Sequence, residues 1–213
     1  MDVVRAEGLE ALTTHHLAAR LDLAVGALSR YFPSKSHLVA ELDRRALDAL
    51  AAEVEQGERE SAGAFRGPNA SLARLVLAAR RYGRFAKTHP AEFGLIGQIL
   101  ADPRTLVTKD EGARVVEATV AILARVASLV DDAATAGALT PGDSRERAIV
   151  FWSGLRAVLE LAKLRVHLAE LDPDALADAM TRTLLQGFGA SPESVARAMD
   201  SVRRYETKKK DEG

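Results

Sequence analysis

Apolar side chains recur at three- and four-residue spacing through almost the whole chain, and each interruption carries turn chemistry. Leu17, Ala18 and Leu21 share a face behind the hydroxyl pair Thr13-Thr14, which predicts a short capped helix. Asp22 and Leu23 make a turn, and a second short helix is expected from about Ala24 to Tyr31. Pro33 lacks an N–H and restricts Phe32, so that helix stops, and Ser34 caps a third from about Lys35 to Glu55. Residues 56–70 are rich in Gly, Ser and charge and are expected to be a loop and a domain boundary.

Beyond the loop the helical spacing returns. Ser71 is expected to cap a helix that ends at Thr88-His89, before Pro90. A short helix follows and stops before Asp102-Pro103, and a long one runs over about 110–136 with Gly137 at its end. After a turn at 138–143, with Ser144 as cap, helices are expected over about 144–168 and 174–188, with a last one from Ser191-Pro192. The residues that follow, 206–213, are expected to be a solvated, disordered charged tail. No strand pattern and no repeat appear. The expected fold is all-α, with an N-terminal helix-turn-helix domain over 1–50 and a larger helical domain over 51–205.

Composition narrows the function. The chain has 213 residues, 47% of them hydrophobic and 28% charged, an ordinary globular balance. Without cysteine, disulfides and thiolate-held metals are excluded. No basic start precedes an apolar run and no uninterrupted apolar window reaches a membrane span, so the expected place is the cytoplasm. No catalytic residue, metal site or cofactor is expected: there is no phosphate loop and no H-E-x-x-H, and His89 and His167 stand alone. Net charge is −1, and six basic residues balance six acidic ones over residues 1–45, a weak electrostatic footprint for a DNA binder.

The stretch LTTHHLAARLDLAVGALSRYFPSK, residues 12–35, reads as two helices joined by a tight turn. Ala18, Leu23 and Leu28 suit its buried joint, and Val25, Gly26, Ala27, Ser29, Arg30 and Tyr31 lie nearer the outside. Small residues at the start of a helix fit a major groove, and larger polar ones at its end can reach phosphates. Thr14, Leu17, Ala18, Gly26, Leu28, Tyr31, Phe32, Pro33, Ser34, Lys35 and Leu38 together resemble the DNA-binding signature of the TetR family of bacterial transcriptional regulators. Two positions depart from the family pattern: Asp22 stands where a Gly is usual, and Ser29 where a phosphate-touching Tyr is usual. Only Met1 to Ala6 precede Glu7-Gly8, so the sequence is expected to start inside the first helix.

The resemblance implies an operator in double-stranded DNA, a small-molecule effector and a homodimer. Expected DNA contacts are Thr14, His15, Val25, Gly26, Ala27, Ser29, Arg30, Tyr31 and Lys35. Thr14, Ser29, Tyr31 and Lys35 would meet phosphates, and Val25 and Ala27 could touch a thymine methyl. Tyr82, Phe85, Phe93, Ile96, Leu100, Trp152 and Leu155 are the expected effector contacts; each is also a plausible plain core residue. The basic run Arg80, Arg81, Arg84 reads as a solvated face; the alternative is that one of them turns inward to pair with an acidic ligand. Helices 144–168 and 174–188 are expected to form a four-helix bundle with a second copy, with Gly154 allowing close approach. The expected function is a ligand-responsive regulator, a repressor released from a palindromic operator. The alternative is a helical small-molecule-binding dimer that has lost DNA binding.

Overall fold

The computed structural model describes residues 2–8, 11–101, 109–168, 170 and 172–211, and among them it is built of helices alone. They run α1 Asp2–Glu7, α2 Thr14–Arg20, α3 Val25–Tyr31, α4 Lys35–Ser61, α5 Ala70–Thr88, α6 Pro90–Ala101, α7 Lys109–Thr135, α8 Ser144–Glu160, α9 Pro173–Gly187 and α10 Pro192–Asp211. A 3₁₀ stretch, Leu161–Val166, follows α8. The expected break at Asp102-Pro103 lies outside the described residues.

The chain divides into two compact units. The first is Met1–Ala51 with Phe85–Val120, and the second is Ala52–Arg84 with Ala121–Gly213. Helices α4, α5 and α7 contribute to both. In the first unit Val3, Leu12, Leu38 and Val39 are buried, and Leu17, Phe32 and Leu42 pack against them. In the second, Leu72, Leu75, Val76, Val130, Leu155, Leu185, Val195 and Val202 are almost wholly enclosed. Their helical spacing is the apolar stripe legible in the sequence, now buried.

Several boundaries differ from the sequence expectation, each for a reason distant in the chain. Residues 56–61 are not loop: α4 continues to Ser61. Arg81 of α5 donates to Glu53 and Glu60, and Arg125 of α7 to Glu55 and Glu58, so two cations brace the last turns of α4. The Ser61 hydroxyl also donates to the Gly57 carbonyl at 2.7 Å. Residues 206–211 are not a disordered tail: α10 runs to Asp211 with its exposed lysines intact. Glu206 accepts from Arg80 and Lys209 pairs with Glu60, while Lys208, Lys209 and Lys210 sit at the helix's negative end.

The expected single helix over 144–168 narrows to 3₁₀ geometry after Glu160. Asp143, not Ser144, caps α8 by accepting from the Arg145 and Glu146 amides at 2.9 and 3.0 Å. Helix α9 starts with Pro173 behind the Asp172 cap, where the missing proline N–H costs nothing. Gly189 has φ +98, and the Thr140 amide donates to Phe188 O at 3.0 Å. This ties the α7–α8 connection to the α9–α10 turn.

Candidate functional site

The helix-turn-helix is built from local bonds. Thr13 caps α2 by accepting from the His16 amide at 3.1 Å. The His16 ring lies 3.0 Å from the Ala11 carbonyl, and Arg20 donates to Glu7 at 2.7 Å, which fastens α2 to the segment before it. The turn needs one left-handed residue, and Asp22 supplies it with φ 53. Asp tolerates that region better than most side chains because its carboxylate can bond locally, so the usual glycine is not required. The Leu23 amide then donates to Ala18 O at 2.9 Å and closes the turn.

Ala18 is fully buried and Leu28 nearly so, as the joint requires. Leu23 is not part of it: its side chain is 48% exposed, because the left-handed Asp22 turns the following residue outward. With Leu28 inward, the rest of α3 faces solvent. His15, Gly26, Ala27, Ser29, Arg30 and Tyr31 are exposed, and Thr14, Val25 and Lys35 partly so. Tyr31 is 76% exposed, far more than a tyrosine serving a core. A Cβ on Gly26 would meet nothing within 4 Å, so its backbone is open to an approaching surface. Ser34 accepts from the His37 amide at 3.1 Å and starts α4. All nine expected DNA contacts therefore lie in the first unit, partly or fully accessible.

One residue of the same unit has no counterpart in the sequence expectations. Asp43 is 1% exposed, and neither carboxylate oxygen has a hydrogen-bond partner. Burial pushes its carboxyl up to about 8. The signal was its phase: with Val39, Ala46, Leu47 and Leu50, Asp43 falls on the buried face of α4.

The expected effector contacts divide between the units. Tyr82, Trp152 and Leu155 belong to the second, and Phe85, Phe93 and Ile96 to the first. Leu100 lies on α6, and its side chain is outside the described set. In the second unit the Tyr82 and Trp152 rings are 6.4 Å apart between centroids. Arg156, 8% exposed, lies beside both and donates to the Tyr82 hydroxyl at 3.3 Å and to Glu160 at 2.8 Å. Its guanidinium carbon lies 6.0 Å from the Trp152 ring centre. Burial pushes the Tyr82 phenol up to about 12, so it stays a neutral hydroxyl. Arg156 was legible only as an i,i+4 partner of Glu160. In the first unit Phe85 stacks on His89 with centroids 5.0 Å apart.

The basic run is a solvated face only at Arg84, whose side chain is 50% exposed beside Glu53; its other two members turn inward. Arg81 is 7% exposed and clamps Glu53 and Glu60, while Arg80 donates to Asp178 and Glu206. Gly154 admits a close approach within the chain itself, since a Cβ there would lie 3.1 Å from Leu184 and 3.2 Å from Met180 of α9. Among the described residues no three His, Asp or Glu gather as a metal site, and no helix is long and apolar enough to cross a membrane.

Comparison with known proteins gives this architecture its class. Residues 1–42 match the bacterial regulatory proteins of the tetR family, and residues 75–184 match the tetracyclin repressor-like C-terminal domain. The chain belongs to the TetR family of regulatory proteins. It is 33% identical over 81 residues to the HTH-type transcriptional repressor KstR of Mycobacterium tuberculosis, a match covering 38% of this chain and 37% of that one. It thus spans well under two thirds of that relative. A tetR-family regulatory protein from Rhodococcus RHA1 superposes with a TM-score of 0.68 at 19% identity, covering 89% of this chain and 93% of the other. AibR, in complex with isovaleryl coenzyme A and operator DNA, superposes with a TM-score of 0.66 at 15% identity, covering 89% and 94%. At these identities the two structures speak for the fold.

Proposed function

We propose that this protein is a ligand-responsive, DNA-binding transcriptional regulator, a repressor that leaves its operator when a small molecule binds the C-terminal half. The carrying observation is the outward face of α3. Gly26 and Ala27 leave room for close approach, and Ser29, Arg30 and Tyr31 stand exposed behind them. A helix with small residues leading and polar ones trailing suits the major groove, with base edges in front and phosphates to the side. His15 and Thr14 flank it from α2, and Lys35 from the start of α4. The relatives point the same way: KstR is a repressor, and AibR is seen with an acyl thioester and operator DNA.

The protein acts as a homodimer in the cytoplasm. Along α8 and the following 3₁₀ turn, Ile149, Val150, Leu161 and Leu164 are 51%, 42%, 41% and 39% exposed. Such a row of large apolar side chains is poor as a free surface and suits a second copy of the same helices. Two copies of α3 would then face successive major-groove turns of a palindrome, about 10 base pairs apart or a multiple of that. Tyr82, Trp152 and Leu155, with Arg156 donating, line the wall where an effector would sit. Binding would stabilise the conformation with the lower DNA affinity.

Fluorescence anisotropy with the duplex upstream of the protein's own gene tests this reading across a salt titration. Phosphate contacts require log K to fall linearly with log salt. A salt-insensitive or absent interaction at low salt would favour the helical dimer that binds a small molecule without DNA.

A further inference from the structure

Two cavities in the second unit share a wall distinct from the Tyr82–Trp152 cluster. One, of about 510 Å³, lies among α4, α5 and α7; Val54, Phe65, Leu77, Ala78 and Leu129 make its wall mainly apolar, and Glu58, Arg74 and Arg81 add charged groups. That volume falls within the roughly 300–1,000 Å³ of small-molecule pockets. The other is a groove of about 680 Å³ between the 62–69 connection and α10. Arg66, Arg197, Arg204, Lys208 and Lys209 line it against a single carboxylate, Glu60. Arg197 is paired with Glu193 and Lys209 with Glu60, and Arg66 and Arg204 still leave the groove a surplus of positive charge. Phe65 lines both spaces and meets Tyr205 edge-on, with centroids 5.5 Å apart.

The partition is also joined electrically. Glu60 accepts from Arg81, which lines the apolar cavity, at 2.8 Å, and from Lys209, which lines the groove, at 3.0 Å. A greasy compartment beside a cationic one matches one kind of molecule, apolar at one end and multiply anionic at the other. We infer that these two spaces form a bipartite site for an amphiphile, with an apolar chain in the α4–α5–α7 cavity and a phosphorylated head in the basic groove, parted by Phe65. This bipartite site is separate from the Tyr82–Trp152 wall of the proposed effector pocket, and binding to it does not depend on DNA.

The basic end of α10 gains a role by this. In the sequence, residues 206–213 read as a solvated charged tail; in the fold, Arg204, Lys208 and Lys209 form one bank of the groove and Arg66 the other. A head carrying phosphates would compete with Glu60 for Lys209 and bind in a salt-dependent way.

Isothermal titration of the full chain, without DNA, tests the site with four probes: decanoyl-CoA, decyl phosphate, CoA and decanoate. Both phosphorylated amphiphiles should bind at least about tenfold tighter than decanoate, and decanoyl-CoA at least about tenfold tighter than CoA. Whichever of the two binds more tightly reports whether the head is nucleotide-sized or a simple phosphate. Replacing the exposed Arg66 and Arg204 by Ala should weaken both and leave decanoate unchanged. Ala78→Phe should bring decanoyl-CoA down to CoA while CoA holds. If Ala78→Phe lowers the melting temperature, acetyl-CoA against decanoyl-CoA on the unaltered chain reads the same cavity. Equal affinity for decanoate and decyl phosphate, an unchanged affinity after Arg66→Ala with Arg204→Ala, or indifference to chain length would each overturn the inference. None of these outcomes touches the DNA reading, whose failure would appear only in the anisotropy titration.

Discussion

Asp43 is the residue at which the structure makes its most unusual demand. A carboxyl that ionises at 3.8 when free is held protonated up to about 8 because its site excludes water and offers no partner. Unfolding therefore releases its proton across that interval, and the folded state loses stability as pH rises from about 4 to about 8. Asp43→Asn should flatten this dependence, and denaturant melts at pH 5 and pH 8.5 would record it as a smaller difference between the two. An unchanged difference would mean that Asp43 ionises normally. At the opposite extreme, Tyr31 is 76% exposed and serves no core. Tyr31→Ala should leave stability within about 0.5 kcal/mol, the usual range for surface changes, while weakening operator binding by about 1 kcal/mol or more. Much of this was legible in the sequence: the Thr13 cap, the buried Ala18 and Leu28, and the exposed row from Gly26 to Tyr31 all follow from local pattern. Leu23 was not, because its direction depends on the left-handed Asp22 rather than on any apolar period. Asp43 could have been found from its phase, since a charged residue on an apolar stripe is either paired or strained.

At the scale of elements, charge pairs remote in sequence decided where the helices end. Residues 56–61 look like loop because the local composition, Gln-Gly-Glu-Arg-Glu-Ser, says nothing of Arg81 or Arg125 lying across it. The same holds for residues 206–211, where Arg80 and Glu60 do the ordering. Arg81 is the most enclosed of these cations. Arg81→Ala should destabilise the chain by about 1–3 kcal/mol, since it removes the enclosed cation and leaves Glu53 only Arg84 and Glu60 only Lys209 as charged partners. Hydrogen exchange should also speed up selectively over the last turns of α4; uniform protection would argue against the clamp. Gly189 is a second such point. Its φ of +98 disfavours any side chain, and a Cβ would press on Thr140. Gly189→Ala should cost about 1–3 kcal/mol in a denaturant melt. The candidate effector contacts were legible only as large apolar residues on helices. The sequence pattern could not say that Tyr82 and Trp152 would gather around Arg156, because that arginine sits in a run that looks like an ordinary amphipathic helix.

For the whole molecule, the proposed dimer and the proposed DNA binding each depend on one surface. The exposed row on α8 predicts the dimer: Ile149→Glu with Val150→Glu should shift sedimentation from dimer to monomer without unfolding the chain. A monomer would then bind a half-site weakly and lose the avidity of a palindrome. The regulator itself stands or falls on whether the outward face of α3 reads DNA. Selection from a random duplex pool by the purified full chain tests this directly, whatever the operator sequence. The expected result is an enriched two-fold motif with half-site centres about 10 base pairs or a multiple apart, and loss of that enrichment with Tyr31→Ala. A pool that stays random through repeated rounds at low salt would contradict it.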